Sequence, residues 1–458
     1  MLNLRWMVGG FIVAALFIGG TTLTACFGSS DADEPEEAAL DAPAEDTPPN
    51  VTPTVPPTVE TTSAGNSDPS SSAKSTAVHK PPPSADETAL TVWVDAALAT
   101  ILQVLAASFE LEYGLKIAIV ETESLPSADE LSAPELPEDS PDIFVDFYTD
   151  VAQMVANGWL HELTLGDRIA EIAPNALDAF RVEGKLYGLP YSAEVVALIY
   201  NPNVVAHVPA TWSELQEVSS DLQANGATEY GLVMQRDDPA QFYPILTAFG
   251  GFLFGADAQG NVDVENVGLD GTGALAAGAW LDAMNQAGLL LAVADADAMY
   301  AAFESGTAAM MIGDAAMLER LRAGNIAYAV AALPGEVEES RALLSARGFL
   351  ISANSRDPEL AQIFLTEFVA APEIMQAIFA ADRRPSAYLP ALDAVQDNEL
   401  SAFIPTDEYA QIAPIIPSLS QVWAIWATAL EQVIDQGEPA EAAFAQAAEQ
   451  IRAVVTKP

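Results

Sequence analysis

Cysteine occurs once in the 458 residues, at position 26, and histidine three times, at 79, 161 and 207. A single thiol excludes an intramolecular disulfide framework and a cysteine-based zinc cluster. Three scattered histidines give no metal-ligand spacing, and no metal or other cofactor is expected. Basic side chains are scarce too: 17 Lys and Arg stand against 65 Asp and Glu, for a formal net charge of −48. A surface of that sign repels a phosphate backbone, so nucleic acid is excluded as a partner. No G-x-S-x-G, Walker A or H-E-x-x-H pattern occurs, and the chain is not expected to be an enzyme. Carboxylates are so frequent that an Asp/Glu pair says nothing about catalysis.

Half of the chain is hydrophobic, which argues for a folded module rather than an acidic disordered chain. The charge divides as +1 over residues 1–26, −10 over 27–88 and −39 over the rest. The acidity therefore belongs mostly to the folded part. It acts either as a solvated surface that maintains solubility or as a field that attracts a cationic ligand.

Arg5 precedes an apolar run from Met7 to Gly20. Its length suits a signal-peptide core better than a membrane span, which needs about 20 residues. Leu23-Thr24-Ala25-Cys26 follows and resembles the bacterial lipobox, in which the cysteine is lipidated and becomes the new N-terminus. Residues 1–26 thus read as a lipoprotein signal peptide with Cys26 as the lipidation site. Several acyl chains on one residue anchor firmly where one alone is marginal. No later segment is expected to be long and apolar enough to span a bilayer. The mature protein is expected on the extracytoplasmic face of the cell membrane, held by lipid. Residues 27–88 are rich in Pro, Ser, Thr, Asp and Glu, with no aromatic after Phe27. Such a segment cannot bury enough apolar surface to order itself, and it reads as a semi-extended tether.

From Leu90 the texture changes. Leu90-Thr91-Val92-Trp93-Val94 predicts a strand. Leu98, Ile101, Leu102, Leu105 and Phe109 recur at helical spacing, with Gly114 as the stop. Leu115–Val120 and Pro141–Val145 predict further strands, and 149–157 a helix ended by Gly158. This alternation implies an α/β fold with a largely parallel sheet, whose ligands sit off the carboxyl ends of the strands. Asp95, Asp146 and Tyr148 then fall at a ligand edge, or serve as helix N-caps. Thr211 and Glu214 form a capping box, Gly184 and Gly188 bracket a tight turn, and Val195–Tyr200 is a buried strand.

Trp93-Val94-Asp95, Phe109–Ile117, Pro141-Asp142-Ile143 and Asn157-Gly158-Trp159-Leu160 occur in order. Gly184–Asn201, Pro209–Leu215, Phe249-Gly250-Gly251, Phe303–Met310 and Pro414–Pro417 running into Trp423 continue the series. This ordered set, spanning about 90 to 455, resembles extracellular solute-binding proteins of the maltose-binding type. The resemblance implies a type II two-lobed clamp, each lobe a mainly parallel sheet flanked by helices, with three interlobe crossings. Lobe I comprises 89–193 plus 348–392, and lobe II 197–342 plus 400–456. The clamp closes on a small solute, a mono- or oligosaccharide of the maltodextrin kind, and delivers it to the permease subunits of an ABC importer. It is expected to act as a monomer. The same clamp holding a cationic solute or peptide, and a surface sensory or adhesion lipoprotein without a transporter, are the alternatives.

The resemblance places Glu194, Asp238, Tyr243 and Trp423 in the cleft. With the edge residues Asp95, Asp146 and Tyr148, the strand-end Asp314, which is a ligand acceptor or an N-cap, and Tyr191, which stands near the lost family aromatics and can substitute for them, they make the expected ligand-binding set. Aromatic rings suit the apolar faces of sugars, and carboxylates suit their hydroxyls. Trp423 and Trp426 share a helix face with Leu430 and Val433, a spacing equally typical of core packing. The sequence departs from the family at Ala97, Leu98, Asp146, Ala240 and Ala316, where charged or aromatic ligand contacts are otherwise found. Arg383-Arg384 either caps a helix C-terminus or reaches the cleft.

Overall fold

The computed structural model describes residues 88–122, 140–259, 262–393 and 399–455. Cys26, the apolar run before it and tether residues 27–87 lie outside the described residues.

The run at 90–94 falls in β1 (Thr88–Val94). In α1 (Ala96–Tyr113) Leu98, Ile101, Leu102, Leu105 and Phe109 are all buried, as their spacing predicts. Gly114 ends the helix in the left-handed conformation, φ 68°, its N–H donating to the Glu110 carbonyl at 2.8 Å. α1 does reach the length and hydropathy of a membrane-crossing helix, contrary to expectation, but its apolar face lies in the core. There follow β2 (Lys116–Glu121), β3 (Ile143–Phe147), α2 (Tyr148–Ala156), β4 (Gly188–Glu194) and β5 (Ala197–Tyr200). Next come α3 (Trp212–Ala224), β6 (Tyr230–Gln235), α4 (Pro239–Ala248), α5 (Thr272–Gln286), β7 (Leu290–Val293) and α6 (Ala296–Glu304). Then come β8 (Ala308–Gly313), α7 (Ala316–Ala323), β9 (Ala329–Ala331), β10 (Ser345–Ile351), α8 (Pro372–Asp382), α9 (Leu419–Ile434) and α10 (Ala440–Val455).

These strands form two five-stranded sheets flanked by helices. Sheet I has the order β2-β1-β3-β10-β4, and sheet II the order β7-β6-β8-β5-β9. A mainly parallel sheet was the expectation, and it needs correction at the level of pairing. β1 pairs parallel with β2 and β3, but β10 runs antiparallel to both β3 and β4. Likewise β6 pairs parallel with β7 and β8, but β5 runs antiparallel to both β8 and β9. Each sheet thus contains one reversed strand, placed internally. The reason is connectivity. β5 enters sheet II directly from the carboxyl end of β4, across Val195 and Val196. A strand entering from that side must run against its neighbours, and β10 enters sheet I in the same sense. The carboxyl edges of both sheets are therefore turned towards the same connections.

Several local expectations shift. The third strand covers 143–147 rather than 141–145, because Asp142 is used as a hub. Its carboxylate accepts the N–H of Thr91 at 2.8 Å and of Arg356 at 2.7 Å, and the Ser355 hydroxyl at 2.9 Å. The shift carries Asp146 into β3, opposite Gly348 and almost fully buried. The turn expected between Gly184 and Gly188 is a two-residue hairpin at Glu183-Gly184, with φ 51° and 80°. Gly188 instead lies within β4, where a Cβ would strike the Phe180 ring. The Thr211 cap forms, its hydroxyl accepting the Glu214 N–H at 3.0 Å, but Glu214 reaches back to Ala210 rather than to Thr211.

Gly273, in the first turn of α5, packs against the turn at Gly250-Gly251. A Cβ there would meet backbone atoms of both residues, and backbone cannot step aside as a flexible side chain can. Gly273→Ala should therefore destabilise the protein by about 1–3 kcal/mol in denaturant unfolding. Burial, with Asp150 adding to it, pushes the Asp146 carboxyl up to about 7, against the Phe147 N–H and Arg347. A folded-state pKa above the unfolded one means the native state holds the extra proton. Its contribution is complete below about pH 4 and is lost as pH rises through about 7. Asp146→Asn should therefore raise the melting temperature above pH 7 and leave it nearly unchanged at pH 4; thermal melts across that range check the slope.

Candidate functional site

The elements that face the inter-sheet connections bring their terminal residues to one cavity of about 320 Å³. Sheet I contributes Glu194 at the end of β4, Phe147 at the end of β3, and Tyr148 just after it. Sheet II contributes Gln235 at the end of β6 and Asp314 just beyond β8. α4 adds Asp238 and Gln241, and α9 adds Trp423. This is the edge at which an open α/β sheet binds its ligands.

Each acid is held by backbone donors. Asp238 N-caps α4, accepting the Ala240 N–H at 2.8 Å, and burial raises its carboxyl above the ordinary range. Asp314 accepts the Met317 N–H at 3.2 Å. Glu194 accepts the Ala315 N–H at 3.1 Å through Oε2, and its Oε1 lies 3.2 Å from Arg384 Nε. Burial is the largest influence on Glu194 and pushes it up to about 8, with Asp314 adding to the rise and Arg384 and the Ala315 N–H opposing it. Gln241 is oriented by the Gln235 N–H, which donates to its Oε1 at 3.0 Å. The Tyr148 hydroxyl accepts the Ala413 N–H at 2.9 Å, so the ring is fixed in the wall. Trp423 is half-buried, packs against the cores of both sheets and stacks on Trp426 at 5.9 Å and 23°.

Of the nine residues expected at the site, Tyr148, Glu194, Asp238, Asp314 and Trp423 line this cavity. The other four are placed elsewhere. Asp95 caps α1 through the Leu98 N–H at 3.1 Å and pairs with Arg347 at 3.1 Å. Asp146 lies within β3. Tyr191 is buried in β4 beneath Arg347, 5.8 Å from the ring centre, with its hydroxyl unpartnered. Tyr243 packs on Trp426 at 6.3 Å and borders a second cavity of about 580 Å³ that meets the first at Leu343. Trp426 is fully buried.

Sequence reasoning missed Phe147, Gln235 and Gln241. Gln235 was within reach of the strand-end rule that found Asp314, and Gln241 stands one helical turn from Asp238. Arg383 and Arg384 divide the two roles weighed for them. Arg383 is the left-handed C-cap of α8, φ 52°, and Arg384 reaches Glu194.

Among the described residues the cavity wall offers three carboxylates, two amides and one indole face, and neither Lys nor Arg lines it. Such a wall accepts hydrogen bonds from hydroxyl or ammonium donors and covers an apolar ligand face. Among the described residues no three His, Cys, Asp or Glu side chains are placed to hold a metal ion.

Comparison with known proteins agrees with the folded region. The chain is 25% identical over 358 residues to the maltodextrin-binding protein MdxE of Bacillus subtilis, covering 75% of this chain and 85% of that protein. It is 24% identical over 373 residues to a galactooligosaccharide-binding protein of the same organism, covering 79% and 88%. A maltooligosaccharide ABC transporter solute-binding lipoprotein of Streptococcus pneumoniae is 24% identical over 358 residues, covering 76% and 83%. Residues 104–411 match the model of a family described as bacterial extracellular solute-binding protein. The chain belongs to that bacterial extracellular solute-binding protein family.

Proposed function

We propose that the protein captures an oligosaccharide outside the cytoplasm and delivers it to an ABC importer. The observation that carries this is the cavity itself: an indole face, Trp423, set beside carboxylates and amides at the carboxyl edges of two sheets. Sugars present that combination, with apolar ring faces between rows of hydroxyls. The relatives named for maltodextrin, galactooligosaccharide and maltooligosaccharide binding support the same class. No chemical step is needed, and the protein acts as a binder rather than an enzyme.

Each sheet is read as the centre of a lobe, with lobe I at 89–193 plus 348–392 and lobe II at 197–342 plus 400–456. Three chain crossings join them, at 194–197, 342–348 and 392–400. Closure about these crossings would bring the two walls onto the solute by hinge bending. A solute that contacts both walls favours the closed arrangement by its differential affinity, and by no more than that. Tyr148, Glu194, Asp238, Asp314 and Trp423 are assigned to ligand contact, with Gln235 and Gln241 added. Ala240, on the cavity wall, leaves room where the family carries an aromatic ring. Lipidation at Cys26 would hold a monomeric clamp near its permease through the 27–88 tether.

Maltose, maltotriose, a galactooligosaccharide and spermidine, each screened by thermal shift, test the ligand class. A bound saccharide at a hundred times its Kd should stabilise the protein by about 2.7 kcal/mol. Trp423→Ala and Asp238→Asn should weaken saccharide binding by roughly tenfold or more in calorimetry. A shift with spermidine and none with any saccharide would replace the sugar by a cationic solute.

A further inference from the structure

Glu194 is the deepest acid of the cavity, and among the described residues its carboxylate has one cation beside it, Arg384. The structure explains how that cation arrives. After the left-handed turn at Arg383, residues 385–387 run alongside β4 as an extra antiparallel segment. The Ala193 N–H donates to the Pro385 carbonyl at 3.0 Å, and the Ala387 N–H to the Tyr191 carbonyl at 3.0 Å. Ser192 and Ser386 form the bridge between the two. Counting two residues outward along each strand sets Arg384 opposite Glu194. Cross-strand partners two residues apart share a face. The Arg384–Glu194 contact is thus dictated by backbone register, not by the reach of a flexible side chain.

Arg384 is itself anchored from behind by Asp382, at 3.2 Å. The charges alternate further along the same face, with Asp382 near Arg347 and Arg347 paired with Asp95. Arg384 and Glu194 are both deeply enclosed, with side-chain exposures of 19% and 5%. From sheet II, Asp314 presses on Glu194 with like charge, and Tyr300 of α6 faces both Asp314 and Arg384.

We propose that Arg384 is the positioning residue of the site: through its register-fixed ion pair it keeps the Glu194 carboxyl group aimed into the cavity, so that Glu194 accepts hydrogen bonds from the solute. Arg384 does not line the cavity; it acts through Glu194. This inference rests on the cavity being the solute site. Two forces compete at Glu194. Burial, Asp314 and Asp382 favour the neutral acid, while Arg384 and the Ala315 N–H favour the carboxylate. A neutral Glu194 would turn one acceptor into a donor and lose affinity for hydroxyl donors. Removing Arg384 shifts the balance further towards the neutral form, so that Glu194 ionises only at a higher pH.

The test has a ligand-free arm and a ligand arm. In the unliganded full chain, isotope-edited carboxylate spectroscopy follows the Glu194 titration, its signal identified by its loss in Glu194→Gln. Arg384→Met should move the midpoint upward by about 1–3 pH units, and Arg384→Lys should largely restore it. In the ligand arm, maltotriose affinity is measured from pH 6 to 9 by calorimetry. The wild type should bind more tightly as pH rises and Glu194 ionises, with Arg384→Met lagging behind. In the Glu194→Gln background, Arg384→Met should cost nothing further, since the interaction through which it acts is gone. The double variant also removes the pair as a unit, so it remains informative if the single change fails to fold. An unmoved midpoint in Arg384→Met, or an undiminished loss of affinity in the double variant, overturns the inference. If no saccharide binds the wild type, the reading of the cavity fails, while the titration arm still decides the role of Arg384.

Discussion

A chain that leaves one sheet at its carboxyl edge and enters a second sheet at that same edge must run backwards through the second. β5 and β10 obey this constraint, and the rest of the site depends on it. Reversal puts the first residues of each entering strand, Val195-Val196 before β5 and Leu344-Ser345 at β10, where the other strands end. The cavity is therefore walled by connections as well as by strand ends. Those connections are not loose. The Val195 N–H donates to the Phe403 carbonyl at 2.9 Å, and Ala342-Leu343 pairs in parallel with Ala410-Gln411. Backbone that would otherwise be unsatisfied at the junction is paired.

The same geometry reconciles acidity with burial. Asp238 and Asp314 sit at helix starts, where N–H groups and the helix dipole favour a negative side chain. The cavity can thus hold carboxylates with no Lys or Arg among the described residues of its wall. Glu194, on a strand, has no helix start of its own and depends on one borrowed N–H, from Ala315, and on Arg384. The site is polar towards its ligand and supported from outside. The excess of acid over base across the folded region adds a field that disfavours anionic solutes.

Much of the fold was legible because it rests on local periodicity. The α1 stripe, the Gly114 stop and the Thr211 cap are short-range features, and each formed. Boundaries slipped where a side chain outcompeted a propensity, as when Asp142 became a hydrogen-bond hub and moved β3 by two residues. The site was half legible. Strand-end acids and Trp423 could be placed by the edge rule and by family resemblance. Asp95, Tyr191 and Tyr243 were equally plausible in sequence, but Asp95 is turned towards an ion pair, Tyr191 lies buried beneath Arg347, and Tyr243 faces a different cavity. Which way a strand-end side chain points depends on register and on neighbours far along the chain. Arg384 is the sharpest case: 190 positions separate it from Glu194, and only the Ser192–Ser386 bridge brings them opposite each other.

The segment at 385–387 also has a consequence for solubility. β4 is the last strand of sheet I, and an uncovered edge strand is a template for pairing with a second molecule. Here the outer carbonyl of Tyr191 accepts from Ala387 and the outer N–H of Ala193 donates to Pro385. The proline adds a position that cannot donate to a further strand. At the opposite margin, β2 begins with Lys116 and ends with Glu121, charges that a docking strand would have to desolvate. Both margins of this sheet therefore carry features that oppose edge-to-edge pairing with a second copy.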